Sequence, residues 1–229
     1  MELEEALTRH GVATDAAEPL ARVLDALARE PDPHTTVAFE DAVDVHIADS
    51  LAALEVPELR QARRIADVGA GAGFPGLPLA VALPAARVDL IESAKRKAAV
   101  IDRLIAAAEI PNARAIPARA EEWATAEGRE AYDVVCARAV APLAVLVEYA
   151  APLLTTDGLL IAWKGKRDVD EEAWGVTAAA ELGLEPTEIR AVEPYPGSRD
   201  RHLHLYRKSS PTPDRFPRRP GMAAKRPLG

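Results

Sequence analysis

The sequence predicts an α/β fold: a mostly parallel sheet with helices on both faces, one antiparallel strand and a small N-terminal helical cap. Three observations carry that expectation. A short apolar run ending in an acid, Ile65-Ala66-Asp67-Val68, breaks into alternating glycines at Gly69, Gly71 and Gly73, the pattern of a strand turning into a loop before a helix. Further short apolar runs at 87–91, 113–117, 133–137 and 159–163 alternate with helical stretches, and strands joined through helices lie parallel. Two last strand-like segments, 188–192 and 202–206, are separated by a short turn containing Pro196-Gly197-Ser198. That hairpin places one antiparallel strand in the sheet, the arrangement of a class I methyltransferase.

The first 30 residues place Leu3, Leu7, Leu20, Val23, Leu24 and Leu27 at helical spacing, and Pro31-Asp32-Pro33 stops the pattern. A second helix is expected over 40–54, with Val43, Ile47, Leu51 and Leu54 on one face and His46, Asp49 and Ser50 beside it. His46 is a candidate functional residue, although a lone histidine on such a helix is more often at the surface or at the boundary of the core.

The glycine loop would lie at the C-terminal edge of its strand, where open α/β sheets bind ligands. Its G-x-G-x-G spacing leaves little backbone to cradle a pyrophosphate, so S-adenosylmethionine is favoured over a dinucleotide. Asp67 would orient the loop or accept a hydrogen bond. Glu92 closes the second strand about twenty residues on, positioned to accept both hydroxyls of a ribose; this supports a nucleoside without choosing between the two ligands. Ser93 is expected to cap the next helix. Lys95, Arg96 and Lys97 crowd the first turn of that helix, where positive charge opposes the dipole; either an anionic partner or an ordinary solvated helix face would account for them.

Arg138 follows the fourth strand and Lys164 the fifth, so both would reach the rim that carries the glycine loop. Either a substrate contact or pairing with acids would account for them. His202 and His204 alternate with Leu203 and Leu205, and with no further ligand cluster no metal site is expected. A single cysteine, Cys136, excludes an intramolecular disulfide framework and a cysteine-based zinc cluster.

With 229 residues, 48% of them hydrophobic and 28% charged, the chain suits one domain with an extension. No apolar run approaches the eighteen or so residues of a membrane span. The start, Met1-Glu2-Leu3-Glu4-Glu5, is acidic where a targeting signal would be basic and then apolar, so the cytoplasm is expected. The net charge of -8 conceals a reversal: from Arg207 onward seven lysines and arginines face only Asp214. That tail is either an RNA handle or a solvated proline-rich extension. Only 4% of residues are aromatic, so RNA docking would rest on electrostatics and shape more than on base stacking.

Taken together these motifs resemble the RsmG (GidB) family, which methylates N7 of a guanine in bacterial small-subunit ribosomal RNA. The resemblance rests on His46-Ile47-Ala48-Asp49-Ser50-Leu51, the loop from Asp67 to Pro78, Glu92-Ser93 with Lys95 to Lys97, and Arg119-Ala120-Glu121-Glu122. It continues through Ala137-Arg138-Ala139, Lys164-Gly165, Arg201-His202-Leu203 and Phe216-Pro217-Arg218-Arg219-Pro220-Gly221. The chain departs from the family at His34-Thr35-Thr36-Val37, where members carry an Asn-Leu-Thr-type segment. The resemblance implies a cofactor pocket lined by Gly69, Phe74, Ala120, Glu121 and Arg138, alongside the Gly71, Gly73 and Glu92 read from the loop and strand. It also makes Lys97, Arg119, Arg138, Lys164 and Arg201 candidates for RNA contact or catalysis. The organisation expected is a cap at 1–55, an S-adenosylmethionine-dependent methyltransferase domain at 56–208 and a basic tail at 209–229, in a monomer acting on small-subunit ribosomal RNA or on a ribosomal subunit.

The implied chemistry agrees with what is missing. Guanine N7 carries an exposed lone pair, so no general base is required. A cytosine-C5 enzyme needs a cysteine nucleophile, whereas Cys136 sits within the apolar run Val134-Val135-Cys136-Ala137. Exocyclic amine methylation commonly uses Asn or Asp before Pro-Pro and an aromatic, and here Ala137-Arg138-Ala139-Val140 occupies that place. The alternatives are a non-catalytic nucleotide-binding module on the ribosome and a methyltransferase acting on another RNA.

Overall fold

A computed structural model describes residues 1–32 and 35–229. Pro33, in the helix-stopping Pro31-Asp32-Pro33, and His34, in the segment that departs from the family, lie outside the described residues. Among the described residues seven strands form one sheet in the order β3-β2-β1-β4-β5-β7-β6. They are β1 (Arg64–Val68), β2 (Arg87–Ile91), β3 (Ala113–Ile116), β4 (Tyr132–Arg138), β5 (Leu154–Lys164), β6 (Leu184–Ala191) and β7 (His202–Lys208). The pairs joining β1 through β5 are all parallel. Strand β7 runs antiparallel to both β5 and β6, so it is the one reversed strand, as expected from the short connection before it. The chain leaves β1 toward β2 and β3 and then returns to β4 on the other side of β1. A crevice therefore opens beyond the C-terminal ends of β1 and β4, the switch point at which such sheets bind ligands.

The strands beside that crevice are apolar along their length because helices cover both faces of the sheet. On one face Ile65, Val88 and Val134 pack with Leu77 and Leu79 of α5 (Gly76–Ala82) and with Ile101 and Leu104 of α6 (Lys95–Ala108). The cap joins this same core through Leu7 of α1 (Leu3–Arg9) and through Leu20, Val23, Leu24 and Leu27 of α2 (Ala17–Arg29). On the other face Val68, Val135 and Leu160 pack with Leu143, Leu146 and Val147 of α8 (Leu143–Ala150) and with Ala178, Ala179 and Leu182 of α9 (Val169–Leu182).

Several local expectations change. The helix expected over 40–54 is instead a relay: a 3₁₀ turn (Phe39–Asp41), a π-helical turn (Val43–Ala48), the single turn α3 (Asp49–Leu51) and a second 3₁₀ turn (Ala52–Glu55). Ile47, Leu51 and Leu54 are still buried, but the wider π turn rotates the residues after it relative to a regular helix. A short helix α4 (Pro57–Gln61), begun by its proline, then leads into β1. Ser93 does not cap α6; the N-cap position is Ala94, whose N–H donates to Glu92 Oε1 at 2.8 Å. Strand β5 starts at Leu154, before the Asp157-Gly158 pair, and β6 at Leu184. Strand β6 is the edge of the sheet and largely exposed, with Pro186 at its irregularity, so it shows no apolar alternation.

The tail folds back onto the domain. Phe216 and Ala223, the latter in α10 (Met222–Lys225), are buried, and Arg218 pairs with the buried carboxylate of Glu148 on α8. Arg215 pairs with Glu181 of α9 at 2.8 Å. Lys208 is fully enclosed, donating to Ala151 O, Leu154 O and Thr212 Oγ1, and burial pushes its pKa down to about 8. A solvated extension would leave these groups in water.

Candidate active site

The loop after β1 turns by means of its glycines. Gly69, Gly71 and Gly73 take φ of 69, 59 and 99°, a region that costs other L-residues roughly 1–2 kcal/mol. Gly69 is further constrained by space, since a Cβ there would stand 2.6 Å from Val140 Cγ2. Two carboxylates hold the loop. Asp67 Oδ2 accepts from the Gly76 N–H at 2.8 Å, tying the end of β1 to the first residue of α5. Burial pushes the Asp67 pKa up to about 7, against the opposing pull of that hydrogen bond and of Arg138. Glu92 accepts from Gly71 N–H at 3.1 Å and from Ala94 N–H at 2.8 Å, which fixes its carboxylate at the end of β2.

Beside this loop lies a cavity of about 700 Å³. Of the residues expected at the site, Gly69, Gly71, Phe74, Glu92, Lys97, Arg138, Lys164 and Arg201 line it. Gly73 does not; a Cβ on it would meet Leu77 Cδ1 at 2.5 Å, so it serves the turn into α5. Arg119, Ala120 and Glu121, at and just after the N-cap of the short helix α7 (Ala120–Trp123), are also not among the lining residues. Arg119 is exposed, its N–H donating to Glu122 Oε2 at 3.3 Å. Ala120 and Glu121 are buried, and Glu121 Oε1 accepts from the Gly221 N–H at 2.8 Å. The returning tail thus meets the carboxylate that was expected to face a cofactor.

Both rim cations are paired with acids. Arg138 Nη1 donates to Asp49 Oδ2 at 2.8 Å and to Val45 O at 2.9 Å. Lys164 Nζ donates to Glu171 Oε1 at 2.6 Å, and that same oxygen accepts from the Leu143 N–H. Arg201 donates through Nη2 to the Tyr195 hydroxyl, while its Nε stands 3.8 Å from Asp49 Oδ1. Each of these three side chains keeps some exposure toward the cavity, so a ligand can compete for its remaining donors.

The π turn adds residues that periodicity could not place. His46 is only 5% exposed, not a surface or boundary residue. Its ring stacks on Phe74 with centroids 4.2 Å apart, and Nε2 lies 3.1 Å from Thr35 Oγ1. Burial first, and then the charge of Arg138, push its pKa down to about 4, so the ring is neutral at pH 7. Asp49 reaches the cavity wall, its carbonyl accepting from Trp163 Nε1 at 2.9 Å. The signal available in sequence was the spacing of His46 and Asp49, three apart on one turn. Cys136 is fully buried in β4 and burial pushes its thiol well up, so it offers no nucleophile. His202 Nδ1 lies 2.9 Å from Gly165 O, which accepts from it, and His204 is buried. Among the described residues no cluster of His, Cys, Asp or Glu is set to hold a metal ion.

A central glycine loop, an acid closing β2 and one reversed strand beside the sheet edge define a class I methyltransferase fold. The fold is shared with Aeropyrum pernix fibrillarin, solved with natively bound S-adenosyl-L-methionine, at a TM-score of 0.54 and 19% identity over 69% of this chain and 72% of that one. A putative O-methyltransferase from Klebsiella pneumoniae aligns at a TM-score of 0.54 and 19% identity, over 84% and 90% of the two chains. Residues 34–203 match the GidB family, rRNA small subunit methyltransferase G, and the chain belongs to that family. Proteins named ribosomal RNA small subunit methyltransferase G are 42% identical in Pelotomaculum thermopropionicum, over 85% of this chain and 82% of that one, and 41% identical in Chloroflexus aggregans, over 90% and 88%.

Proposed function

We propose that this cavity binds S-adenosylmethionine and presents its methyl group to N7 of a guanine in small-subunit ribosomal RNA. The observation that carries the reading is the pairing of a carboxylate-held glycine loop with a cation-rimmed cavity in a chain of the methyltransferase G family. The residues present fit the cofactor. Glu92 keeps unused lone pairs for two ribose hydroxyls, the glycines let backbone lie against the ligand, and Phe74 and Val140 supply apolar contact. Bound there, the cofactor supplies an electrophilic methyl on a sulfonium.

The protein's part is positioning. N7 attacks with its own lone pair, so no residue has to remove a proton first. That agrees with a wall whose histidine is neutral and engaged by Thr35 and Phe74. Alignment of nucleophile and methyl at near-attack distance is worth up to about 7–11 kcal/mol in favourable cases. Arg138 and Lys164 would hold O6 or a backbone phosphate and leave N7 uncovered. Arg119, exposed at the start of α7, would meet the RNA. The enzyme would act as a monomer in the bacterial cytoplasm, where its RNA is made; no described helix is long and apolar enough to cross a membrane.

The test is methyl transfer from labelled S-adenosylmethionine to small-subunit RNA, and to subunits, taken from cells lacking the endogenous enzyme, with nucleoside analysis of the product. Wild type should yield 7-methylguanosine and Arg138→Ala should not, with cofactor binding measured for both. Cofactor binding without incorporation into any form of the RNA would reject the reading in favour of another acceptor or a non-catalytic module.

A further inference from the structure

On the wall formed by the π turn, an acceptor and a donor stand side by side. Asp49 and Arg138 both line the cavity and are joined through a single pair of atoms, Oδ2 and Nη1, at 2.8 Å. Among the described residues the other carboxylate oxygen, Oδ1, has only Arg201 Nε at 3.8 Å, beyond hydrogen-bond range. On the arginine, Nη1 makes both bonds, to Asp49 and to Val45 O, so among the described residues Nη2 has no acceptor. Two further hydrogen bonds anchor the turn that carries Asp49. Trp163 Nε1 grips the Asp49 carbonyl at 2.9 Å, and the Ser50 hydroxyl donates to His46 O within the same turn. The result is an anionic acceptor beside a cationic donor, both facing a space large enough for a nucleobase.

That order of acceptor and donor selects among purines. Along its Watson–Crick edge guanine presents N1–H, a donor, next to O6, an acceptor. Adenine presents the reverse, N1 as acceptor next to an amino donor. A base in single-stranded RNA can be read on this edge, and a grip there leaves N7, on the far side of O6, open to the methyl donor. We propose that Asp49 and Arg138 together read the Watson–Crick edge of the target guanine, Asp49 Oδ1 accepting from N1–H and Arg138 donating to O6. This deepens the function proposed above and rests on it. Asp49 is then a specificity-determining residue: it rejects adenine because its carboxylate would face an unprotonated ring nitrogen, leaving two buried acceptors opposed.

The experiment uses three RNAs, identical except at the methylated position, which carries guanosine, inosine or 1-methylguanosine. All three retain N7 and O6, and only the last lacks N1–H. For wild type, inosine should be methylated nearly as well as guanosine, whereas 1-methylguanosine should lower kcat/KM by roughly 5- to 150-fold, the discrimination of a good bidentate base contact. Asp49→Ala should methylate guanosine poorly, lose most of the penalty for 1-methylguanosine and keep its affinity for S-adenosylmethionine, which also reports that it folds. Equal rates of wild type on guanosine and 1-methylguanosine would overturn the proposal whether or not the variant folds. So would a full 1-methyl penalty in Asp49→Ala. Loss of cofactor affinity in Asp49→Ala with folding intact would assign the carboxylate to the cofactor's ammonium group and overturn it too. Failure of wild type to make 7-methylguanosine on the unmodified RNA is a different result, and rejects the underlying reading of the reaction instead.

Discussion

The two halves of the cavity are built by different means. On the side of β1 and β2, carboxylates bind backbone: Asp67 holds Gly76 and Glu92 holds Gly71 and Ala94. On the side of β4 and β5, carboxylates bind other side chains: Asp49 holds Arg138 and Glu171 holds Lys164. Backbone amides cannot leave their positions without unmaking the turn, so the first half is preformed for one ligand shape. Arginine and lysine side chains can exchange an acid for a phosphate or a base edge with little change to the fold. A small invariant cofactor suits the first construction, and a large RNA substrate suits the second.

The largest effect expected is from breaking the backbone half. Gly69→Ala places a Cβ 2.6 Å from Val140 Cγ2 at a φ of 69°, combining strain with a clash. Val140 lines the cavity, so its displacement changes the space for the cofactor. The expected outcome is a Tm decrease corresponding to at least about 1–2 kcal/mol, the ordinary cost of a left-handed L-residue, with the affinity for S-adenosylmethionine collapsing. Calorimetric titration and a melting curve measure both. An alanine variant that binds the cofactor normally would show the loop to be less preformed than its geometry says.

Protons distinguish the halves next. Asp67 has a raised pKa, about 7 against an ordinary 3.8, so between those values the folded state holds a proton that the unfolded state has lost. Its contribution to stability is greatest below 3.8 and declines as pH rises to about 7. His46 has a lowered pKa, about 4 against 6.5, so over that window the unfolded state binds the extra proton. Its contribution is fully present above 6.5 and is lost as pH falls toward 4. Removing each group should therefore tilt the stability profile in opposite directions. Asp67→Asn, which keeps an acceptor for the Gly76 N–H, should make stability rise more steeply with pH between 4 and 6.5 than in wild type. His46→Gln should make it rise less. Denaturant titrations across that range measure the slopes, and identical slopes for the two variants would refute the assignment.

The same contrast explains what could be read from the chain itself. The backbone half is written in residue types that have few other uses: glycines at a strand end, an acid before them and an acid closing the next strand. Asp67, Gly69, Gly71 and Glu92 are accordingly at the cavity or holding its loop. The directions of the strands came from alternation and from one short connection. The side-chain half was less legible because a π turn breaks the period on which a helix is recognised, so His46 reads as a boundary residue although it is stacked on Phe74. Arg138 and Lys164 were visible, but not the acids they meet, 89 and 7 residues away. The tail hid its fold for a related reason: Phe216 and Ala223 are too sparse for any periodicity, and Glu121 is met by Gly221, 100 residues on.

The smallest effect expected separates electrostatic steering from the grip on the base. Lys97 lines the cavity from the first turn of α6, and among the described residues it has no ion-pair partner, unlike Arg138 and Lys164. Its charge opposes the helix dipole by less than about 1 kcal/mol, so Lys97→Ala should leave folding stability nearly unchanged. If Lys97 meets one phosphate, the variant should bind RNA more weakly, with the log–log salt dependence of affinity shallower by about 0.7–0.9. The rate at saturating RNA should be kept, because a phosphate contact positions the strand without entering the reaction. A series of binding measurements from low to physiological salt reads the slope directly. An unchanged slope would mean that Lys97 faces the cofactor's carboxylate, which moves this cation from the exchangeable half of the cavity into the preformed one.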